Sequence, residues 1–399
     1  MKSSRHTVLA LTILLALTSG CASVPQRNPL PEELASKAVV LGGEASRRWG
    51  DEASNFTGQW LAMSKDEVRE LFGGVFGRHH TYLAISGGGA NGAFGAGLLC
   101  GWTEAGDRPV FTMVSGVSTG ALTAPFAFLG SDYDHVLRTF YTTTSTEDIM
   151  KKRSKLNAIT SDAAASTEPL QDLIAQVFTE EIMEAIAAEH RLGRRLTIGT
   201  SNLDANRPVH WNIGSIANSG DPRALELIRQ VLLASASVPA AFPPVLIEVE
   251  ADGRVYDELH VDGGATAQVY IYPAGIDWEH VLQKLEVPDM PDLYVIRNSA
   301  FEPKYETVKN KILDITGRSV SSMIRTQGIG NLFKIYLMAK RDGLDYNLAY
   351  IPGTFTEEPM EFFDPVYMKK LFDLAFEQAK DGYAWEKVPP RYYAEAELE

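Results

Sequence analysis

The sequence predicts an α/β fold built around a mainly parallel sheet, and two stretches carry that expectation. The apolar run "TYLAIS" (Thr81–Ser86) ends in a glycine cluster. A helical pattern follows from Ala90 to Ala105, with Phe94, Leu98, Leu99 and Trp102 on one side. A second apolar run, "PVFTMVSG" (Pro109–Gly116), is followed by "ALTAPFAFLG", read as a helix starting near Ser118. Strands that alternate with helices in this way favour parallel pairing. The chain has 399 residues, 45% of them apolar and 22% charged, which is enough for a sizeable core in one large domain or two ordinary ones.

Further along, Asp132–Asp148 is mixed and partly helical, and Pro169–His190 has helical periodicity throughout. "RRLTIGTSNLD" and "RPVHWNIG" read as strands, and Pro222–Ala234 as a helix. Two alternating runs flank Asp252-Gly253, a hairpin signal. Asp292–Ser299 reads as a strand. Beyond Phe301 long helical stretches dominate, with one strand-like segment at Leu344–Ile351.

The N-terminus has the form of a secretory signal: Lys2 and Arg5, an apolar run from Val8 to Leu17, then small residues. That run is about ten residues, against the roughly 20 that a membrane helix needs. "LTSGC", Leu17 to Cys21, resembles the lipobox of bacterial lipoproteins, in which the cysteine becomes a lipidated N-terminus; Thr18 departs from the commoner leucine. The expected organisation is a signal peptide (1–20), a proline-rich lipidated tether (21–32), an amphipathic helical segment (33–78), a catalytic domain (79–300) and a mostly helical C-terminal region (301–399). The implied location is the cell envelope, anchored at the periplasmic side of the outer membrane. The other cysteine, Cys100, lies in an apolar helical pattern and reads as a buried, inert thiol. A net charge of −14 without a basic cluster argues against nucleic acid as a partner. Nothing in the sequence specifies an oligomeric state.

Three motifs carry chemistry. "SGGGANGAFGAG" (Ser86–Gly97) has the Gly87-x-Gly89-x-x-Gly92 spacing of a pyrophosphate cradle. A dinucleotide site also needs an acidic residue at the end of the next strand. Glu104 and Asp107 precede that strand, which ends instead in Gly116-Val117-Ser118-Thr119-Gly120. A GxSxG sequence at a strand-to-helix turn projects a serine hydroxyl as a nucleophile. Acyl transfer builds negative charge on a carbonyl oxygen, and the backbone N–H groups of Gly87, Gly88 and Gly89 are candidate donors to it. A base for Ser118 comes from His260 or from Asp262, which is followed by Gly263 and Gly264.

Taken in order, Gly87-Gly88-Gly89-Ala90-Asn91-Gly92, Gly116-x-Ser118-x-Gly120 and Asp262-Gly263-Gly264, together with "ASASVPAAFPPV" (Ala234–Val245), resemble the patatin-like phospholipase family over about residues 79–300. The resemblance implies a three-layer α/β/α fold with a helical C-terminal extension. It also implies a Ser118–Asp262 dyad, an acyl-enzyme, a lipid ester substrate, and neither metal nor cofactor. Asn91 stands where the family often has Arg or Lys, and Gln268 and Tyr270 stand where it usually has Asn and Pro. Two rival readings remain at this stage: a Ser–His esterase using His260, and a non-catalytic envelope lipoprotein that binds a ligand with the same fold.

Overall fold

The computed structural model describes residues 27–52, 55–153 and 163–392. The signal-like segment and Cys21 lie outside these residues. In chain order the strands of the main sheet are β1 (Arg47–Trp49), β2 (Thr81–Ile85), β3 (Met113–Val117), β4 (Arg195–Asn202), β5 (Arg207–Asn212), β6 (Val245–Ala251), β7 (Arg254–Asp262), β8 (Asp292–Arg297) and β9 (Asp345–Tyr350). The helices used below are α1 (Asn55–Ala62), α2 (Lys65–Leu71), α3 (Gly92–Ala105), α4 (Thr119–Leu129), α5 (Asp134–Thr143), α6 (Glu168–Val177), α7 (Glu180–Arg191), α8 (Ala224–Ala236), α9 (Trp278–Lys284), α10 (Ile312–Asp342) and α11 (Pro365–Lys380).

The nine-stranded sheet runs β1-β5-β4-β3-β2-β8-β9, with β7 on β4 and β6 on β7. From β4 to β9 every neighbouring pair on this path is parallel. In β2, Leu83 and Ile85 enter the larger core with α3 and α4, whereas Tyr82 and Ala84 face a second core with α10. Burial on both faces is what a three-layer α/β/α arrangement requires. The expected hairpin is present as β6–β7, turning at Asp252 and Gly253, both with positive φ.

Several elements differ from the reading by periodicity. Residues 33–78 are not uniformly helical: α1 and α2 are short, and β1 lies antiparallel on β5. The described end of the expected tether, from Arg27, is docked on the body of the protein, with Pro29 bridged to Asp257. Arg27 pairs with Asp204 at 2.6 Å and Asp257 at 2.8 Å, and Leu30 N–H donates to the Asp257 carbonyl at 3.2 Å. The run Pro169–His190 splits into α6 and α7, because Thr179 turns extended and caps α7 through Ile182 N–H. The second strand begins at Met113, with Pro109–Thr112 outside it.

The C-terminal region is built into the same body, since β9 extends the sheet beside β8 and α11 packs on α3. That packing is close enough to need glycine. A Cβ at Gly97 would overlap the Phe372 carbonyl, and one at Gly101, a turn later, would overlap that of Phe376. Gly97→Ala is therefore expected to lower unfolding stability by about 1–3 kcal/mol, read from urea melts, because the backbone of α11 must back away from α3.

Candidate active site

The site forms where two strands meet end to end. The first half of β4 pairs with β3, up to Gly199 opposite Val117. On its next rung, Thr200 lies opposite Asp262, the last residue of the antiparallel strand β7. The other edge of β4 is occupied by β5 over both rungs, so β3 and β7 share one edge and converge tip to tip. The residue after β3 is Ser118 and the residue ending β7 is Asp262. Their meeting is thus set by strand register.

Ser118 sits at φ 55° and ψ −125°, a conformation that L-residues rarely adopt. Its surroundings hold it there. A Cβ at Gly116 would strike the Gly120 carbonyl, and one at Gly120 would strike the Ile85 carbonyl, so the turn closes only without side chains at both places. Ser118 N–H donates to Ser235 Oγ at 3.0 Å, and Ser235 Oγ–H donates to the Gly199 carbonyl at 2.7 Å. Two residues on, the Ser237 carbonyl accepts from Asp262 N–H at 2.9 Å. The end of α8 thereby fixes both strand tips.

Asp262 is 4% exposed and Ser118 8%. Asp262 Oδ1 accepts from Gly264 N–H at 2.7 Å, whereas Oδ2 is buried without a hydrogen-bond partner. Burial pushes the carboxyl pKa up to about 6, against a smaller pull downward from the Ser118 hydroxyl and the Gly264 N–H. The hydroxyl thus lies close enough to favour the carboxylate, while no hydrogen bond of ordinary geometry closes between them.

The glycine loop lies beside this pair. A Cβ on Gly87 would stand 3.1 Å from Ser118 Cβ. Of the three expected oxyanion donors, Gly87 N–H is already engaged by the Gln268 carbonyl at 3.1 Å, because that loop must be tied to the chain after β7. Among the described residues nothing accepts from Gly88 or Gly89 N–H, so the donor set narrows to these two. Gln268 also closes its own loop, donating from Nε2 to the Gly264 carbonyl at 2.7 Å. Gly92 sits over a buried Thr119–Tyr141 hydrogen bond, and Asn91 Oδ1 accepts from Tyr367 Oη at 2.7 Å, tying the loop to α11. A Cβ on Gly263 would strike the Gly199 carbonyl of β4.

His260 is not placed to serve Ser118. It is fully buried, with Nδ1 on Thr200 Oγ1 at 2.9 Å and Nε2 on Glu258 at 3.1 Å; Glu258 in turn pairs with Arg47 at 3.0 Å. Burial, opposed by Glu258, holds the imidazole below its ordinary pKa. This network is structural. Cys100 is buried, with its thiol pushed up to about 12, mainly by burial.

The sequence reading did not single out three contributors. Ser235 lies in the quoted "ASASVPAAFPPV" stretch, yet nothing there marks its hydroxyl as a bridge. Asn298, just past β8, donates from Nδ2 to the Ser86 carbonyl at 2.9 Å and accepts from Gly95 N–H at 3.0 Å, fixing both ends of the glycine loop. Asn331 of α10 accepts from Gln268 N–H at 2.8 Å. The strand read over Asp292–Ser299 took in Asn298, whereas β8 ends at Arg297 and leaves Asn298 free to reach the loop.

Residues 83–274 match the family model for patatin-like phospholipases. No curated protein matches the chain in a sequence search. Among solved structures, VipD from Legionella pneumophila aligns with 76% of this chain and 67% of its own at 14% identity and a TM-score of 0.38, a likeness too low to carry an argument.

The buried carboxyl generates a stability prediction. Its pKa is raised above the unfolded value, so its unfavourable effect is absent below about pH 4 and complete above about pH 6. Asp262→Asn should therefore stabilise the protein by up to about 3 kcal/mol at pH 8, with the gain vanishing near pH 4, in urea melts at the two pH values.

Proposed function

We propose that residues 83–274, which match the patatin-like phospholipase model, form the domain of a lipid acyl hydrolase that cleaves carboxylic esters through a Ser118–Asp262 dyad. The observation that carries this reading is the convergence of a strained serine and a buried aspartate, whose Oδ2 has no partner, at the shared edge of β4.

In this mechanism Ser118 Oγ attacks the ester carbonyl carbon as Asp262 Oδ2 takes its proton. The carbonyl oxygen becomes an oxyanion and accepts from Gly88 and Gly89 N–H. The carbon–oxygen bond to the alcohol then breaks, and the departing oxygen recovers the proton from Asp262. This leaves an acyl ester on Ser118. Water attacks that ester, giving a proton to Asp262, and Ser118 Oγ leaves with it as the fatty acid departs. An ordinary carboxylate is a weak base at neutral pH. A pKa near 6, with one oxygen free of competing donors, brings Asp262 closer to the working pH.

Substituting Ser118→Ala or Asp262→Ala should lower kcat/KM on a chromogenic acyl ester by at least about 10²-fold. His260→Gln, measured on folded protein, should stay within about tenfold of the parent; a loss as large as that of Ser118→Ala would instead support a histidine base.

We also propose that the N-terminal signal exports the chain and that Cys21 carries the lipid that holds it at the cell envelope. Among the described residues no helix is long and apolar enough to cross a membrane. Cys21→Ser should move the protein from the membrane fraction to the soluble fraction on cell fractionation.

A further inference from the structure

A cleft of about 420 Å³ opens beside the glycine loop, reached by Gly87, Gly88 and Asn91 on one side and by β8 and α10 on the other. Two arginines line its far wall. Arg297, the last residue of β8, is 3% exposed, and Arg325 projects from α10. Among the described residues neither guanidinium meets a carboxylate. Arg297 reaches the Ala300 carbonyl at 3.4 Å and lies over the Phe301 ring at 4.8 Å; Arg325 reaches the Phe301 carbonyl at 2.9 Å. The Nε of each is buried with no partner.

The other cations of the cleft are engaged. Arg318 faces Glu306 at 3.5 Å, and Lys304 pairs with Glu358 at 2.7 Å. Glu302 also lines the cleft but lies against Gly353. Two unpaired guanidiniums held near each other repel, and burial adds to that cost. The repulsion is felt: burial first, then the charge of Arg325, pushes Arg297 down to about 10, which still leaves it protonated at neutral pH. In a chain of net charge −14 such a pair calls for an anion, and two forked donors fit the oxygens of a tetrahedral phosphate.

We propose that Arg297 and Arg325 bind a phosphate group in this cleft, placing the headgroup of a phosphate-bearing lipid beside the glycine loop. The assignment rests on the lipid-ester reading of the site. The adjoining surface of α10 exposes Val320 and Met323, which suits a ligand with a polar head and an apolar body.

The test separates binding from hydrolysis. In the Ser118→Ala chain, binding of a non-hydrolysable alkyl-ether glycerophospholipid is compared with that of the matching alkyl glycerol. Inorganic phosphate serves as a competitor. The expected result is at least a tenfold preference for the phosphate-bearing ether, lost in Arg325→Gln and partly kept in Arg325→Lys, with alkyl-glycerol binding unchanged. Because Arg325 is only half-buried, its variants report even if Arg297→Gln does not fold. Competition by millimolar inorganic phosphate would show that the free ion also occupies the site. A preference absent from the parent, or an equal loss for both ligands in Arg325→Gln, would overturn the proposal. If the preference stands while the parent chain hydrolyses no ester, the phosphate site survives and the hydrolase reading fails.

Discussion

Everything at the candidate site depends on one register: β3 and β7 occupy consecutive stretches of the same edge of β4 and stop at adjacent rungs. One runs parallel to β4 and the other antiparallel, so their ends face each other. A one-residue slip in either would turn Ser118 or Asp262 to the opposite face. The surrounding structure fixes this register. Ser235 joins Ser118 to Gly199, the Ser237 carbonyl holds Asp262, and the glycines at 116, 120 and 263 allow backbone contacts that any side chain would prevent.

The same convergence sets the chemistry. A carboxylate enclosed by strands and turns loses its water, which raises its proton affinity toward neutrality. Its environment satisfies Oδ1 and leaves Oδ2 bare. Together with the positive φ of Ser118, this concentrates instability at the candidate site, while the backbone contacts of α3 with α11 and the apolar cores stabilise the frame around it.

Much of this was legible in the sequence. The glycine loop, the GxSxG turn and the aspartate before two glycines pointed to residues that the structure brings together, because each motif reflects a backbone path that few residue types permit. The strand-helix alternation gave the parallel core, and Asp252-Gly253 gave the hairpin. What the sequence hid was long-range. No local pattern shows that β7 would pair with β4 rather than lie elsewhere, that β1 would add an edge strand, or that Gly87 N–H would be taken by Gln268. His260 looked competent by position, and only its buried partners, Thr200 and Glu258, removed it. Periodicity joined α6 to α7 because a break of two residues, Phe178 and Thr179, leaves no mark on an apolar repeat.

The central claim is that Asp262, as a carboxylate, activates Ser118. The most direct measurement is the rate of fluorophosphonate labelling across pH 4–9, with the labelled peptide mapped, in the parent and in Asp262→Asn. The account predicts a single label on Ser118, a rate that rises with pH through about 6 and then levels, and a loss of at least about 10²-fold in Asp262→Asn. Labelling at another residue, or an equal rate in Asp262→Asn, would contradict it.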